Sequence, residues 1–360
     1  MMFKAYKYRL YPNKEQERKL NETLWLCSLV YNRCLAERRE AWKNERRSLT
    51  AYDQIKQLPA WKKEGPRLNQ VYSQVLQDVV RRVDKAFQAF FHRVKAGEKP
   101  GYPRFKSASR YDSFTYPQSG FQLQNGRLKL AKIGLVKIKL HRPLQGKVKT
   151  LTIHRKADGW YACFSVEVDP VVLPPSDKAV GVDLGLEFFA TTSDGEFFPS
   201  AKYLRKSERN LKRLQRMVSR RQKGSRRRQK VVRQLAKAHA HIANQRRDMA
   251  HKIARSLVNR YGLIAIEALN VKGMLRNHRL AKSISDAGWG LFINILKGKA
   301  AEAGRQVVEV NPRNTSQICS GCGCIVEKPL SQRWHKCPHC GTSLHRDVNA
   351  AINILHRAVA

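Results

Sequence analysis

The sequence contains no run of 18 or more apolar residues, so no segment of it is expected to cross a membrane as a helix. It also lacks the unbroken apolar core of a secretion signal. Met1-Met2-Phe3-Lys4-Ala5-Tyr6-Lys7 instead alternates apolar and basic residues, which is the period of a strand, and a cytoplasmic location is expected. Acidic side chains are in short supply: 28 Asp and Glu stand against 70 Lys and Arg, for a formal net charge of +42. Such a surplus repels itself unless a polyanion neutralises it. The basic residues run through the whole chain, including regions of clear apolar periodicity. That pattern fits several folded surfaces facing nucleic acid better than one basic tail. An inert basic surface is the bland alternative. An anionic membrane surface is disfavoured, because no basic segment pairs with a lipid-facing aromatic stripe.

What is present bounds the fold class. An apolar fraction of 42% with 9% aromatics argues against wholesale disorder. A length of 360 residues suggests roughly two to four domains. Five of the eight cysteines (Cys319, Cys322, Cys324, Cys337 and Cys340) crowd one short segment, while Cys27, Cys34 and Cys163 sit in helix or strand patterns. In a chain without a secretion signal, that clustering reads as metal binding and not as a disulfide framework.

Residues 3–11 alternate like a half-buried strand ended by Pro12-Asn13, and Asn13 with Gln16 makes a capping pair for a helix through Leu35. A second helix is predicted from about Leu68 to Lys95, with polar, turn-rich residues between the two. From about Ser113 to Val168 short strands follow, with hairpin signals at Asn125-Gly126 and Asp158-Gly159, which together with the first strand suggest a small β-barrel holding the helical region as an insertion. After Pro170–Pro175 the stretch 179–195 reads as strand, bend, strand and an Asp194-Gly195 turn. Residues 201–260 are a very basic helical stretch broken near Lys223-Gly224-Ser225; 263–267 and 305–310 are strands. Ser285 or Asp286 could cap a helix carrying Trp289, Phe292, Ile295 and Leu296, and a last helix runs from Asp347 to about Arg357. This order describes a mixed sheet with flanking helices, without internal repeats.

The spacing Cys319-x2-Cys322, 14 residues, Cys337-x2-Cys340 predicts two knuckles whose thiolates complete a tetrahedral, structural Zn2+ site. Gly321, Gly323 and Gly341 suit the knuckle turns, and Trp334 could pack one flank. Cys324, His335, His339 and His345 are rival ligands that two C-x-x-C pairs make unnecessary; redox-active or simply buried cysteines are the further alternative. Substituting Cys337 is expected to destabilise the module before it affects chemistry.

Three acids differ from the many that sit beside Lys or Arg. Asp183 interrupts an otherwise buried strand, Glu267 closes the strand LIAIE, and Asp347 opens the last helix. A carboxylate in or at the end of a buried strand is costly unless a cation pairs with it. Converging at one sheet edge, the three could hold two Mg2+ ions about 4 Å apart, the arrangement that hydrolyses phosphodiesters. Singly, Asp347 could be only an N-cap, Glu267 could pair with a nearby Arg, and Asp183 is hardest to explain away.

The motifs GVDLG, IAIEALN, SISDAGWG, the two knuckles and HRDVNAAINI resemble those of TnpB, the transposon-encoded RNA-guided DNA endonuclease also called an OrfB-type transposase, which is similar to type V CRISPR effectors. The N-terminal YRLYPNKEQE, VYNRCL, VLQDVVRRVDKAFQAFF and GYPRFKS look like the same family, so the resemblance covers nearly the whole chain. It implies an α+β multidomain fold: a β-barrel wedge (1–12 and 105–175), an inserted helical recognition region (13–104), a split RuvC-like, RNase H-like nuclease (176–311 and 344–360) and a zinc ribbon (312–343). It implies that Asp183, Glu267 and Asp347 are the catalytic triad, holding Mg2+. It also implies a guide RNA from the transposon end and a double-stranded DNA target beside a short flanking motif, both strands being cut by one site; it implies no oligomeric state. The family's motif-reading region falls near Tyr52, Ser73, Gln74 and Gln77, for which ordinary helix surface is the alternative. A heteroduplex held by its backbone needs cations more than base reading, and Arg220, Arg221, Lys223, Arg226, Arg227 and Arg228 are candidates for that contact, or else a solvated basic helix. Two rival readings stand beside the guided nuclease: a transposase that joins DNA ends by strand transfer, and a non-catalytic RNA-guided DNA-binding protein.

Overall fold

The alternation at the start of the chain becomes a ten-residue strand, β1 (Met2–Tyr11), which buries Tyr6, Tyr8 and Leu10 on one face. In the computed structural model, which describes residues 2–329 and 331–360, this strand is central in the first of two compact units, Met1–Asp169 and Pro170–Ala360. It pairs antiparallel with β7 (Gly159–Val168) along nearly its whole length and with β5 (Gly134–Lys139) at its end. Around them β2 (Ser113–Tyr116), β3 (Phe121–Gln124), β4 (Arg127–Leu130) and β6 (Lys147–Lys156) complete a seven-stranded antiparallel sheet in the order β2-β6-β7-β1-β5-β4-β3.

Both hairpin signals form hairpins. Asn125 and Gly126 have φ of 44° and 70°, the paired positive values a type I′ turn requires. In the other hairpin the two-residue loop is Ala157-Asp158, and Gly159 opens β7 instead of sitting in the turn. No ladder joins β2 to β3 among the described residues. Even so, Phe121 of β3 meets Tyr116 of β2 and Phe164 of β7, each with ring centroids 6.3 Å apart. The sheet has therefore rolled almost to closure, and the expected barrel is an open one.

The chain between β1 and β2 is helical: α1 (Lys14–Glu45), α2 (Ala51–Glu64), a 3-10 turn (Pro66–Gln70) and α3 (Ser73–Lys95). Asn13 and Gln16 cap α1 reciprocally, as their spacing predicts. Two expectations change here. The stretch between the predicted helices is not a linker, because Thr50 and Asp53 form a second capping box and α2 buries Gln54, Leu58 and Trp61. The second long helix begins at Ser73 and not at Leu68, since the 3-10 turn and the extended Tyr72 (φ −61°, ψ 132°) intervene. Arg82 fastens α3 to β2, donating to the Ser113 carbonyl (2.8 Å) and the Thr115 hydroxyl (2.7 Å), so that helices and barrel share one core.

In the second unit β8 (Ala179–Asp183), β9 (Phe188–Thr192), β10 (Phe197–Pro199), β11 (Leu263–Glu267) and β12 (Gln306–Val310) form a sheet in the order β10-β9-β8-β11-β12. The ladders β8–β11 and β11–β12 are parallel and the other two antiparallel, so the sheet is mixed. The helices are α4 (Tyr203–Ser219), α5 (Arg226–Arg260), α6 (Val271–Met274), α7 (Ala281–Ala287), α8 (Trp289–Ala303) and α9 (Arg346–Val359). Ile264 and Ile266 pack with α5 and α8, whereas Ala265 packs with Ile354 of α9, so strand alternation assigns the helices to opposite faces. Gly181 decides how closely α9 approaches: a Cβ there would lie 1.9 Å from the Ala351 carbonyl oxygen, and only glycine fits. Among the described residues no helix is long and apolar enough to cross a membrane.

Candidate active site and metal centre

Two parallel strands end side by side on carboxylates. The β8–β11 register pairs Val182 with Ile266, which brings Asp183 and Glu267, the last residues of their strands, to the same sheet edge. The third acid, Asp347, is the second residue of α9, held against β8 by the close approach at Gly181. Its Oδ2 lies 3.9 Å from where a Cβ on Gly185, in the bend after β8, would sit.

The electrostatics tie the three together. Burial pushes the Asp183 carboxyl well above its ordinary range, and the charges of Glu267 and Asp347 push it further, with Arg346 opposing. Glu267, only 7% exposed, is likewise raised by burial, against a hydrogen bond from Thr315 and the charge of Arg357. Among the described residues no Lys or Arg is within 4.0 Å of any of the three. The Arg that could have neutralised Glu267 is committed elsewhere, since Arg357 Nη1 donates to the Asn311 carbonyl (2.6 Å). Nor is Asp347 the helix cap: His345 is, its Nδ1 accepting from the Asp347 N–H. The three carboxylates gather loosely. Among the described residues the one set of His, Cys, Asp or Glu ligand atoms within 4.8 Å of one another is made of cysteines. Hard oxygen donors, a raised proton affinity at Asp183 and Glu267 and no Lys or Arg in ion-pair contact make a donor set that suits a divalent ion of the Mg2+ type.

Thr315, to which sequence reasoning assigned nothing, holds Glu267. Its hydroxyl donates to Glu267 Oε1 at 2.5 Å from 48 residues away. A donor to a carboxylate favours the charged form and contributes about 1.5–3 kcal/mol. Thr315→Val is therefore expected to raise the Glu267 pKa further. Cleavage by this variant, measured as a pH–rate profile, should lose more at pH 6 than at pH 8.5; an unshifted acidic limb would remove Thr315 from the site.

Asp286 corrects another expectation. Ser285 and Asp286 lie inside α7 and do not cap the following helix, which starts after Gly288 in the left-handed conformation (φ 72°). Asp286 instead accepts from the N–H groups of Leu204 (3.0 Å) and Arg205 at the start of α4, and pairs with Arg246 of α5 at 2.6 Å. It fastens three helices, α4, α5 and α7, at one point.

The four predicted zinc ligands do meet. All Sγ atoms of Cys319, Cys322, Cys337 and Cys340 fall within 4.8 Å of one another, with Cys319–Cys340 and Cys322–Cys337 each at 3.6 Å. A tetrahedron with Zn–S bonds of about 2.3 Å has edges of about 3.8 Å, so the cage fits Zn2+. Gly323 and Gly341 take φ of 77° and 74°, which lets their N–H groups turn back onto the Cys319 and Cys337 carbonyls. Hydrogen bonds from the Thr342 hydroxyl and backbone pull the Cys340 thiol down to about 6, which favours the ligating thiolate. Cys324, His335, His339 and His345 stand outside the set. Trp334 does not flank a core as expected; it is half-exposed, donating to Ser343 Oγ and edge-on to His345.

The nucleic-acid candidates are divided. Ser73, Gln74 and Gln77 sit at the start of α3, where Lys62 Nζ bonds Ser73 Oγ (2.7 Å) and Gln74 Oε1 accepts from the Ser119 hydroxyl. Tyr52 stands at the opposite end of α2, ten residues or about 15 Å from Lys62. The structure therefore does not gather these four into one patch. Arg220, Arg221 and Lys223 occupy the α4–α5 connection, and Arg226, Arg227 and Arg228 the first turn of α5. Among the described residues none of these six is ion-paired; Arg221 bonds only the Arg227 carbonyl.

The chain matches three known families: one described as "Probable transposase" over residues 163–278, the Cas12f1-like TNB domain over 289–354, and a helix-turn-helix domain over 1–47, a segment that here is β1 and one unbroken helix. It is 37% identical to a protein of Streptomyces pristinaespiralis provisionally named an RNA-guided DNA endonuclease, over 99% of this chain and 90% of that one. It is 34% identical to the Escherichia coli K12 protein InsQ, provisionally named likewise, over 98% and 91%. In fold it resembles the protein of a Cas12f1–sgRNA–target DNA complex, with a TM-score of 0.61 at 13% identity over 98% of each chain.

Proposed function

The chain belongs to the TnpB family of OrfB-type proteins, and from that premise we propose that it is a transposon-encoded, RNA-guided, Mg2+-dependent DNA endonuclease with one RuvC-like active site. The observation that carries the reading is the placing of Asp183 and Glu267 at one sheet edge, with Asp347 of α9 near enough to raise the Asp183 pKa and, among the described residues, no ion pair to any of the three, in a chain with net charge +42. Bound Mg2+ would activate a water and stabilise the leaving oxygen of the phosphodiester. The chain's own part is to fix the ligands: β8 and β11 present Asp183 and Glu267, Thr315 orients the Glu267 carboxylate, and α9 delivers Asp347. Zn2+ in the four-cysteine cage has a structural role.

The partners in this reading are a guide RNA from the transposon end and double-stranded target DNA beside a short flanking motif. The rolled sheet serves as wedge, residues 13–104 as the recognition region and residues 312–343 as the zinc ribbon. Arg226, Arg227 and Arg228 support phosphate contact on physical grounds. Three cations in the first turn of a helix oppose its dipole, a cost that a bound phosphate reverses. The deciding experiment is co-purification from cells carrying the gene with its native 3′ flank, sequencing of the bound RNA, and Mg2+-dependent cleavage of a plasmid library. Discrete RNA from the transposon end with guided cutting is expected. Covalent donor–target products would instead establish direct strand transfer, and guided binding without cutting a non-catalytic protein.

A further inference from the structure

Four rings meet where α9 begins. The His345 ring lies nearly perpendicular to those of Phe197 (centroids 5.1 Å apart), Phe188 (5.9 Å) and Trp334 (6.4 Å), and Phe188 and Phe197 are 4.6 Å apart. The His345 ring is itself held in place, because its Nδ1 accepts from the Asp347 N–H. Rings that only pinned the Trp334–His345 hairpin to the sheet would cover one another. Trp334 is instead 49% exposed and Phe197 37% exposed. Contiguous open aromatic surface marks a binding feature where a single exposed ring does not.

The sheet register sets these rings beside the acids, and that position says what would bind. Asp183 of β8 opposes Thr191 of β9, and Thr191 opposes Phe197 of β10. Residues directly opposite share a face, so Asp183 and Phe197 stand in one row on one side of the sheet, two strand spacings or about 10 Å apart. The helix α9 lies on that same side, since Gly181, two residues before Asp183, faces Ala351. At the far end of the row Phe197 meets His345, two residues from Asp347. A phosphodiester held by the three acids therefore has the rings within one or two nucleotides along its own strand. Charge adds to the match. In β13 (Trp334–Lys336) Lys336 alternates with the buried His335 onto the Trp334 side; it is exposed and, among the described residues, has no ion pair.

We propose that these rings, Phe197 and Trp334 foremost, receive the base of a nucleotide flanking the scissile phosphate in the DNA strand being cut. The proposal rests on the nuclease reading and adds to that site a platform that fixes where the phosphodiester lies relative to the acids. A planar base matches the open ring surface and its phosphate matches Lys336. Stacking tolerates any base, so the platform orients the DNA strand without reading its sequence. Guide pairing supplies target affinity, so the platform acts on the rate of cutting and not on binding.

The test uses the full chain with its co-purified RNA, Mg2+ and a target duplex matched to that RNA. One abasic site is walked through about four nucleotides on each side of the cut, and single-turnover cleavage is measured. In the wild type, one position within about two nucleotides of the cut should slow cleavage about tenfold, the scale of one stacked base. Phe197→Ala and Trp334→Ala should each cut intact target about tenfold more slowly while binding it as the wild type does. In both, the abasic penalty at that position should shrink to about twofold or less, whereas Trp334→Phe, which keeps a ring, should retain it. Zinc measured per chain separates a lost platform from a lost ribbon, and Phe197→Ala, outside the ribbon, carries the test if Trp334→Ala loses its zinc. An abasic penalty equal in wild type and Phe197→Ala, or absent at every position, would overturn the platform and leave the nuclease standing. A wild type that cuts no target would overturn the nuclease reading and the platform with it.

Discussion

Replacing Asp183 with Asn is expected to abolish cleavage and, in the same molecule, to raise the melting temperature of the protein without added Mg2+. The first effect follows from the loss of a metal-holding carboxylate. Metal-borne charge stabilisation is worth several kcal/mol, and about 4 kcal/mol is already a thousandfold in rate. The second follows from what the metal-free site costs. Burial and two neighbouring carboxylates raise the Asp183 pKa in the folded chain, whereas the unfolded chain keeps the ordinary value near 3.9. Between those two values the folded state binds more protons, so stability falls as pH rises from the ordinary Asp range through the raised value. Asn carries no charge and escapes that loss. The variant's advantage should be nil near pH 4 and full at neutral pH. A gain of about 1 kcal/mol moves the midpoint about 2–4 °C in a unit of this size. Mg2+ should stabilise the wild type and leave Asp183→Asn unmoved. Thermal scans at pH 4 and pH 7.5, with and without Mg2+, check all of this. A variant less stable than wild type at pH 7.5 would mean that a protein group already satisfies the carboxylate, and the metal reading of the three acids would fail.

Why these acids could be singled out in the sequence, and others not, has a physical basis. Asp183 and Glu267 stood out because short runs of apolar residues mark buried strands by period and length alone, and a charge there conflicts with its surroundings. The cysteine spacing and the Asn13–Gln16 cap were legible for the same reason, since each is a local geometry written within a few residues. What stayed hidden depends on distant partners. Thr315 reaches Glu267 across 48 residues, and Asp286 caps a helix 82 residues earlier. Nothing local distinguishes either from a surface Thr or Asp. Helix α2 was missed for a different reason: Pro59 interrupts its interior and the buried polar Gln54 breaks its apolar stripe, so that tertiary bonds to the Cys34 carbonyl and Glu37 sustain it. The separation of Tyr52 from Ser73, Gln74 and Gln77 likewise follows from the way α2 and α3 are joined, which no single helix pattern encodes.

Cys337→Ser is expected to cost both zinc and cleavage, and to lose them together. Sequence spacing alone predicts a module whose loss destabilises before it affects chemistry, but the structure bolts the first knuckle to the helix that carries Asp347. Asn349 accepts from the Ser320 N–H (2.9 Å) and donates to the Ile318 carbonyl (2.7 Å). Asn353 donates to the carbonyls of Thr315 (2.8 Å) and Ile318 (2.6 Å), and Arg346 donates to Pro329 O (2.9 Å) and Ser316 Oγ. The same segment carries Thr315, the partner of Glu267. Two of the three acids are thus positioned through residues 315–320, next to or inside the first C-x-x-C. Binding of structural Zn2+ is worth about 10–16 kcal/mol in small modules that have little core of their own, so removing one thiolate unfolds the knuckles. Their loss would free α9 at its first turn and Glu267 at its hydroxyl donor. Zinc measured per chain should fall well below one in Cys337→Ser, with cleavage down about a hundredfold or more, the ~2.7 kcal/mol scale of a displaced catalytic group. Cys324→Ser, outside the four-sulfur cage, should keep both. Asn353→Ala should keep its zinc yet cleave more slowly, because it cuts the tie and leaves the cage. A Cys337→Ser protein without zinc that cleaved at the wild-type rate would show that the ribbon does not position the acids, and the bonds from Asn349, Asn353 and Arg346 would then be packing alone.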